Sequence, residues 1–363
     1  MKLLVLKETN LTEARVALTI DLVSKYQKAG FEIFVEKAAG EKSEISDESY
    51  SKAGVTVAQD IAQILPNIDV IIAVQRNEID LSKVKKGAIF VAMLNPYFEK
   101  DKIIKLIDAG VSPFALELVP RITRAQSMDV LSSQSNLAGY VAVINAVSSM
   151  KKCVPMMMTA AGTVSAAKFM ILGAGVAGLQ AIATAKRLGG IVCAFDVRAA
   201  AKEQVQSLGA KFIEVKSTES LETKGGYAKE VSEEYKKLQE KLIFDTIANQ
   251  DVVIATALIP GKKAPILINE EMVKNMKPGS IIIDLAAVNG GNCALTEVGK
   301  IKQVGGVTII GHDNFASFVS VDASKLYAKN IFSFLELLVD KENKNIAINL
   351  EDEIVKSALV QKI

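Results

Sequence analysis

The sequence predicts an α/β protein of two doubly wound domains, the second a Rossmann dinucleotide-binding fold and the first discontinuous along the chain. Three observations carry this expectation. Short β-branched runs alternate with helical patterns almost throughout, which is how parallel sheets with crossover helices read. The chain has 363 residues, 50% of them apolar, enough for more than one core. A G-x-G-x-x-G motif at residues 173–178 stands between an apolar run and an Ala-rich helical one.

In the first third, strands are expected at 3–6, 32–35, 70–74, 88–92 and 113–116. Helical patterns at 20–29 and 100–109 lie between them, each closed by a glycine, Gly30 or Gly110. Residues 134–150 read as a helix with Leu137, Ala138, Val141, Ile144 and Val147 on one side, long enough to bridge two domains. Six further strands follow, at 169–172, 191–196, 211–215, 252–257, 280–285 and 307–310, a count that suits a full dinucleotide fold. The helical stretch 323–339 is expected to cross back, so that residues 1–126 and 325–363 form a discontinuous flavodoxin-like domain and residues 127–324 the Rossmann domain. The charged stretch 217–241, with Gly225 and Gly226 in a polar setting, is either a solvated face or a mobile flap over a nucleotide.

Composition removes several function classes. Lys plus Arg at 43 against Asp plus Glu at 41 leaves a net charge of +2 and no basic stripe, which argues against a nucleic-acid partner. Cys153, Cys193 and Cys293 are far apart and lack a C-x-x-C spacing, so neither a disulfide framework nor a metal site is expected, and the compartment reads as reducing. These cysteines, and Met156, Met157 and Met158, are assigned to core packing. The opening residues already read as a strand, with no leader segment ahead of it. The least charged stretch, 153–185, is broken by four glycines and fits a buried strand and helix better than a membrane span.

The glycine motif meets each contextual test. Gly173 allows the tight turn, Gly175 lets the backbone approach a pyrophosphate, and Gly178 lets helix and strand pack closely, while the helix N-terminus presents unpaired N–H groups. A second strand ends at Asp196, eighteen residues past the last glycine. A carboxylate there accepts from a ribose diol and repels a 2′-phosphate, which favours NAD(H) over NADP(H). Arg198, two residues on, softens that preference. The loops "TALIPGKKAP" (256–265) and "DLAAVNGGN" (284–292) leave the fourth and fifth strands of this sheet, where ligands of open α/β sheets bind; each is otherwise an ordinary turn.

The segment "RITRAQSMDVLSSQSNLAGY" (121–140) gathers a guanidinium, amides, a carboxylate and hydroxyls, with no His, Cys or Lys. Read from the residues alone, it is either a positioning loop or a turn in which Asp129 or Ser132 caps the next helix.

With these motifs, and with "GGYAKE", "TALIPGK" and "GGN", nearly the whole chain resembles the NAD(H)-binding portion of the alpha subunit of proton-translocating NAD(P) transhydrogenases, within the alanine dehydrogenase superfamily. The likeness is to the version in which that portion is its own polypeptide. The resemblance implies direct hydride transfer between NAD(H) here and NADP(H) on a partner component, coupled to proton translocation by a membrane-spanning partner. It also implies a homodimer at the cytoplasmic face of a bacterial inner membrane, with NAD(H) bound at an interdomain cleft. Carried over by position, Arg121, Gln126, Asp129 and Ser132, with Ser127 and Met128 in the same loop, would hold the nicotinamide and its ribose, Gln126 nearest the ring. Gly173, Gly175, Val176, Ala177 and Gly178 would meet the pyrophosphate, and Asp196, Val197 and Arg198 the adenosine ribose. Gly226 and Tyr227 would sit on the closing flap, and Gln239 and Leu258 would complete the pocket.

The chemistry agrees with that resemblance. A hydride moving from carbon to carbon needs no proton given or taken at the reacting atoms, only two rings held about 3–3.5 Å apart with water excluded. An amino-acid dehydrogenase instead needs a tuned base and a carboxylate anchor. Relatives of alanine dehydrogenase carry a Lys and a His where this chain has Gln75 and Asn95, and the acid they place before the G-G pair is replaced by Val288 or Asn289. Arg15 is retained and could anchor a carboxylate, which keeps such a dehydrogenase as the first rival; a non-catalytic NAD(H)-sensing subunit is the second. The only histidine, His312, is expected to be structural.

Overall fold

Leu3 and Val5 face one side of the first sheet and Leu4 and Leu6 the other, all at most 1% exposed, so the opening strand is buried on both faces as a strand inside a parallel sheet must be. The computed structural model describes residues 1–75, 77–215, 232–259, 261–340 and 342–361. The chain divides into two units, Met1–Gln134 with Ala316–Ile363, and Ser135–Phe315.

In the first unit, β1 (Lys2–Val5), β2 (Glu32–Glu36), β3 (Thr56–Ala58), β4 (Val70–Gln75), β5 (Ile89–Met93) and β6 (Ser112–Ala115) pair in parallel in the order β3-β2-β1-β4-β5-β6. One face is covered by the helix Ser320–Leu335, whose Tyr327, Ile331 and Phe334 are fully buried among Val5, Val74 and Phe114. That helix belongs to the first unit although it follows the second in sequence, which makes the first unit discontinuous. Tyr327 Oη donates to the carbonyls of Ala73 and Val74 at 2.9 and 3.0 Å, fixing the helix to β4. The other face is covered by the helix Lys100–Asp108 through Ile103 and Leu106.

The strand order corrects the flavodoxin-like expectation. The five anticipated strands alone run 2-1-3-4-5, the flavodoxin order. The three-residue edge strand β3 extends this to 3-2-1-4-5-6, the order of a full dinucleotide fold. Three residues after Gly54 are too few to show an alternating pattern.

In the second unit, β9 (Lys168–Leu172), β10 (Ile191–Phe195), β11 (Lys211–Ile213), β12 (Val252–Ala255), β13 (Ile281–Asp284), β14 (Lys300–Val304) and β15 (Val307–Gly311) form a sheet ordered β11-β10-β9-β12-β13-β15-β14. The six parallel strands again run 3-2-1-4-5-6, and β14 pairs antiparallel on the edge. Ahead of this sheet stands an unanticipated hairpin, β7 (Met157–Thr159) and β8 (Gly162–Val164), exposed along both strands. Met156 and Met158 are 63% and 78% exposed and Cys153 is exposed, which corrects their assignment to core packing. A two-stranded ribbon that pairs only with itself has no second layer to bury its side chains. Of the three cysteines only Cys293 is buried. The helix Val130–Ser149 crosses the boundary between the units, which falls after Gln134. Among the described residues, no helix is long and apolar enough to cross a membrane.

Candidate functional site

Each unit presents one group of the anticipated residues. In the second unit, the glycine motif leaves the carboxyl end of β9, and its three glycines answer to different constraints. Gly173 has φ +97°, and a Cβ there would lie 2.7 Å from Thr256 Oγ1. A Cβ on Gly178 would lie 1.8 Å from the carbonyl oxygen of Gly173, so no side chain fits. Among the described residues a Cβ on Gly175 meets nothing within 4 Å, and its φ of −77° is open to any residue. Packing therefore explains two of the glycines and, among the described residues, not the third.

The helix Val176–Arg187 starts immediately after Gly175. Its hydrogen bonding begins with Leu179 N donating to Gly175 O at 2.8 Å, so the amides of Val176, Ala177 and Gly178 have no acceptor within the helix and suit an anion. Gly139 on the helix Val130–Ser149 presses on this turn: a Cβ there would lie 2.1 Å from Ala177 O. Sequence reading missed Gly139 because its need is tertiary.

Asp196 follows β10 with both oxygens engaged. Oδ2 accepts from Ala174 N at 2.7 Å and from Arg198 Nη2 at 2.9 Å, and Oδ1 accepts from Arg198 N and Nε at 2.8 and 2.9 Å. The four acceptor positions of the carboxylate are thus filled, and a ribose diol must displace a guanidinium contact to reach it. By the same pairing, Arg198 is neutralised and less available to a 2′-phosphate.

The loops after β12 and β13 are tied together by Asn292, 0% exposed, whose role the sequence pattern did not single out. Its Oδ1 accepts from Ala257 N at 2.9 Å, while its Nδ2 donates to the carbonyls of Ala257 and Pro265 at 2.9 and 2.8 Å. Asp284 in turn accepts from Asn292 N, Cys293 N and Thr296 Oγ1 at 2.7–3.0 Å. The clamp leaves Leu258 46% exposed beside Ala257. Gln239, on the helix Glu233–Ile247, is 8% exposed, and its Oε1 is buried without a donor among the described residues. Gly226 and Tyr227 lie outside the described residues.

In the first unit, the expected nicotinamide loop contains a 3-10 turn, Thr123–Met128, held from below by Ala125 and Met128, 1% and 5% exposed. Arg121, Gln126 and Ser127 are exposed on it. Arg124 makes a bidentate pair with Asp352 at 2.7 and 2.8 Å, and that guanidinium holds the Asp352 carboxyl down at about 2. Asp129 caps the helix Val130–Ser149: its oxygens accept from Ser132 N at 2.8 Å and Ser132 Oγ at 2.6 Å. Asp129 and Ser132 are therefore brought together as a cap, while Gln126 projects from the turn.

Arg15 does not stand open. Its Nε and Nη2 donate to the two oxygens of Glu13 at 2.8 and 2.6 Å, and its Nη1 to Gln134 Oε1 at 2.8 Å. Ser317 Oγ and Gln75 Nε2 also donate to Glu13, at 2.8 and 3.1 Å. Burial raises the Glu13 pKa, but the Arg15 charge and hydrogen bonds outweigh it and hold the carboxyl below its ordinary value. Nearby Glu8, 7% exposed, is pushed up to about 8 by burial and by the Glu13 charge. Burial holds His312 below its ordinary value, and its ring packs edge-on against Phe315 at 5.4 Å.

Models of the alanine dehydrogenase/PNT N-terminal and C-terminal domains match residues 4–138 and 142–362. The chain is 49% identical over 370 residues to the first of the alpha-subunit polypeptides of the NAD(P) transhydrogenase of Rhodospirillum rubrum, covering 100% of this chain and 96% of that one. It is 45% identical over 367 residues to the protein of the same name from Rickettsia prowazekii, covering 100% and 95%. The crystal structure of transhydrogenase from Sinorhizobium meliloti superposes with a TM-score of 0.88 at 48% identity, covering 99% of this chain and 98% of that one. The chain belongs to the alanine dehydrogenase/PNT family.

Proposed function

We propose that this chain is the NAD(H)-binding component of a proton-translocating transhydrogenase, in which hydride passes directly between NAD(H) bound here and NADP(H) on a partner. The observation that carries the reading is the exposed Gln126 on an anchored loop of amides and hydroxyls, with no group beside it in sequence that titrates near neutral pH. Such a loop orients a ring by hydrogen bonds and leaves the transfer itself to the nicotinamides. Gly175, without a packing contact among the described residues, and the three amides after it that lack a helical acceptor support the pyrophosphate role. Arg121, Gln126, Ser127, Met128, Asp129 and Ser132 are assigned to the nicotinamide side. Asp196, Val197 and Arg198 are assigned to the adenosine ribose, and Gln239, Leu258, Gly226 and Tyr227 to the rest of the pocket.

The relatives are named as subunits, which supports partners that span the membrane and bind NADP(H), and attachment through them at the cytoplasmic face. A homodimer is included in the same proposal, and the exposed apolar hairpin with Met156, Met157, Met158 and Val164 supports it. The test mixes the purified chain with an NADP(H)-binding component of another transhydrogenase. Exchange between the two nucleotides without NAD⁺ reduction by alanine is the expected result. Alanine turnover, or NADH binding with no exchange, would overturn the proposal.

A further inference from the structure

Arg15 and Glu13 have no role in the proposed chemistry, yet a continuous line of hydrogen bonds runs from them to the loop that carries Gln126. Arg15 Nη1 donates to Gln134 Oε1 at 2.8 Å, and Gln134 Nε2 donates to Ser133 Oγ at 3.2 Å. Ser133 Oγ donates to Asn330 Oδ1 at 2.7 Å, and Asn330 Nδ2 donates to the carbonyl oxygen of Ser127 at 2.7 Å. All these residues lie in the first unit.

The direction of every bond is forced from both ends. A guanidinium only donates and a backbone carbonyl only accepts, so Gln134 must turn its oxygen to Arg15, and Asn330 must turn its NH₂ to Ser127. The Ser133 hydroxyl receives from Gln134 and gives to Asn330 at 2.7 Å, the shorter of its two acceptor contacts, the other being Val130 O at 3.2 Å. Gln134 and Asn330 are each 7% exposed, so water does not readily substitute for either amide. Ser127 follows Gln126 directly, and on the other side of Gln126, two residues before it, Arg124 is fixed by Asp352.

We propose that Asn330 is a positioning residue for Gln126, acting through the Ser127 carbonyl and oriented in turn by the Ser133–Gln134–Arg15–Glu13 line. This rests on the nicotinamide role of the loop. The buried ion pair then serves as the fixed end of a strut rather than as a substrate anchor.

The test compares Asn330→Asp and Ser133→Ala with the wild type. Asn330→Asp keeps the shape but points an acceptor at Ser127 O. It is expected to lower the kcat of NADH-to-NADP⁺ exchange about tenfold, to change the Kd for NADH less than threefold, and to keep the fold by circular dichroism. Ser133→Ala leaves Asn330 in place and removes the hydroxyl that orients it, along with that hydroxyl's contact to Val130 O, with an expected kcat loss of about two- to threefold. Backbone amide exchange over residues 121–129, followed by mass spectrometry, is expected to accelerate in both variants. This last readout does not depend on activity: a wild type that exchanges no hydride sinks the functional proposal, while the amide exchange still decides the role of Asn330. Folded variants with unchanged amide exchange would overturn the inference, as would an NADH affinity that falls as far as kcat. If Asn330→Asp does not fold, Ser133→Ala alone decides by the same readouts.

Discussion

Glu13 and Arg15 face each other as a buried bidentate ion pair, with Arg15 Nη2 2.6 Å from Glu13 Oε2 and side-chain exposures of 0% and 4%. A guanidinium closed in this way by its own chain is not a ready receptor for a carboxylate from solution. Any small acid would have to displace a carboxylate that Ser317 and Gln75 also hold, while Gln134 occupies the remaining guanidinium nitrogen.

Breaking the pair should be costly. Glu13→Ala leaves a buried guanidinium unpaired, and the expected loss is about 3–5 kcal/mol in a urea unfolding titration. A loss under about 1 kcal/mol would show that Arg15 finds other compensation and that the site is more open than its geometry indicates.

Glu8 makes stability depend on pH with a definite sign. Its folded-state value of about 8 lies above the ordinary 4.5, so between those limits the folded chain holds a proton that the unfolded chain has released. Stability from this group therefore falls as pH rises through that window, by up to about 1.4 kcal/mol per pH unit, and levels off above it. Glu8→Gln removes the slope: relative to wild type, the variant should gain stability from pH 5 to pH 8. A constant difference across that range contradicts the assignment.

The three glycines of the nucleotide turn should separate cleanly. Gly178→Ala sets a methyl 1.8 Å from Gly173 O and should cost about 1–3 kcal/mol or more in stability. Gly175→Ala should melt within a few degrees of wild type and lose about tenfold or more in NADH affinity by calorimetry. A large loss of stability in Gly175→Ala, or none in Gly178→Ala, would reverse the division between ligand and packing.

Asp196→Ala should free Arg198 from its bidentate partner. The expected outcome is a ratio of NADH to NADPH affinity at least about tenfold smaller than in wild type, measured by fluorescence titration. An unchanged ratio would mean that Asp196 serves only to hold Arg198 and Ala174.

The sequence made the two sheets legible wherever strands were long and apolar, as in β4 and β13, because burial on both faces leaves near-continuous runs of Val and Ile. It failed where the signal is short or tertiary. β3 and β14 are edge strands, one of three residues and one a largely exposed run carrying two lysines. The methionines at 156–158 look like core because composition cannot distinguish a buried run from a self-paired ribbon. The glycine motif was legible because its spacing, and its place between a strand and a helix, lie within one short segment. Asn292, Gly139 and Asn330 were not, since each acts on a segment distant in sequence: Asn292 on Ala257, Gly139 on Ala177 and Asn330 on Ser127.

The most direct measurement follows the hydride itself. NADH carrying deuterium at the transferred position is incubated with this chain and an NADP(H)-binding component in ordinary water, and the NADPH formed is examined by mass spectrometry. The account predicts one deuterium retained per NADPH, because the transfer is from carbon to carbon. NADPH carrying solvent hydrogen at that position would contradict it.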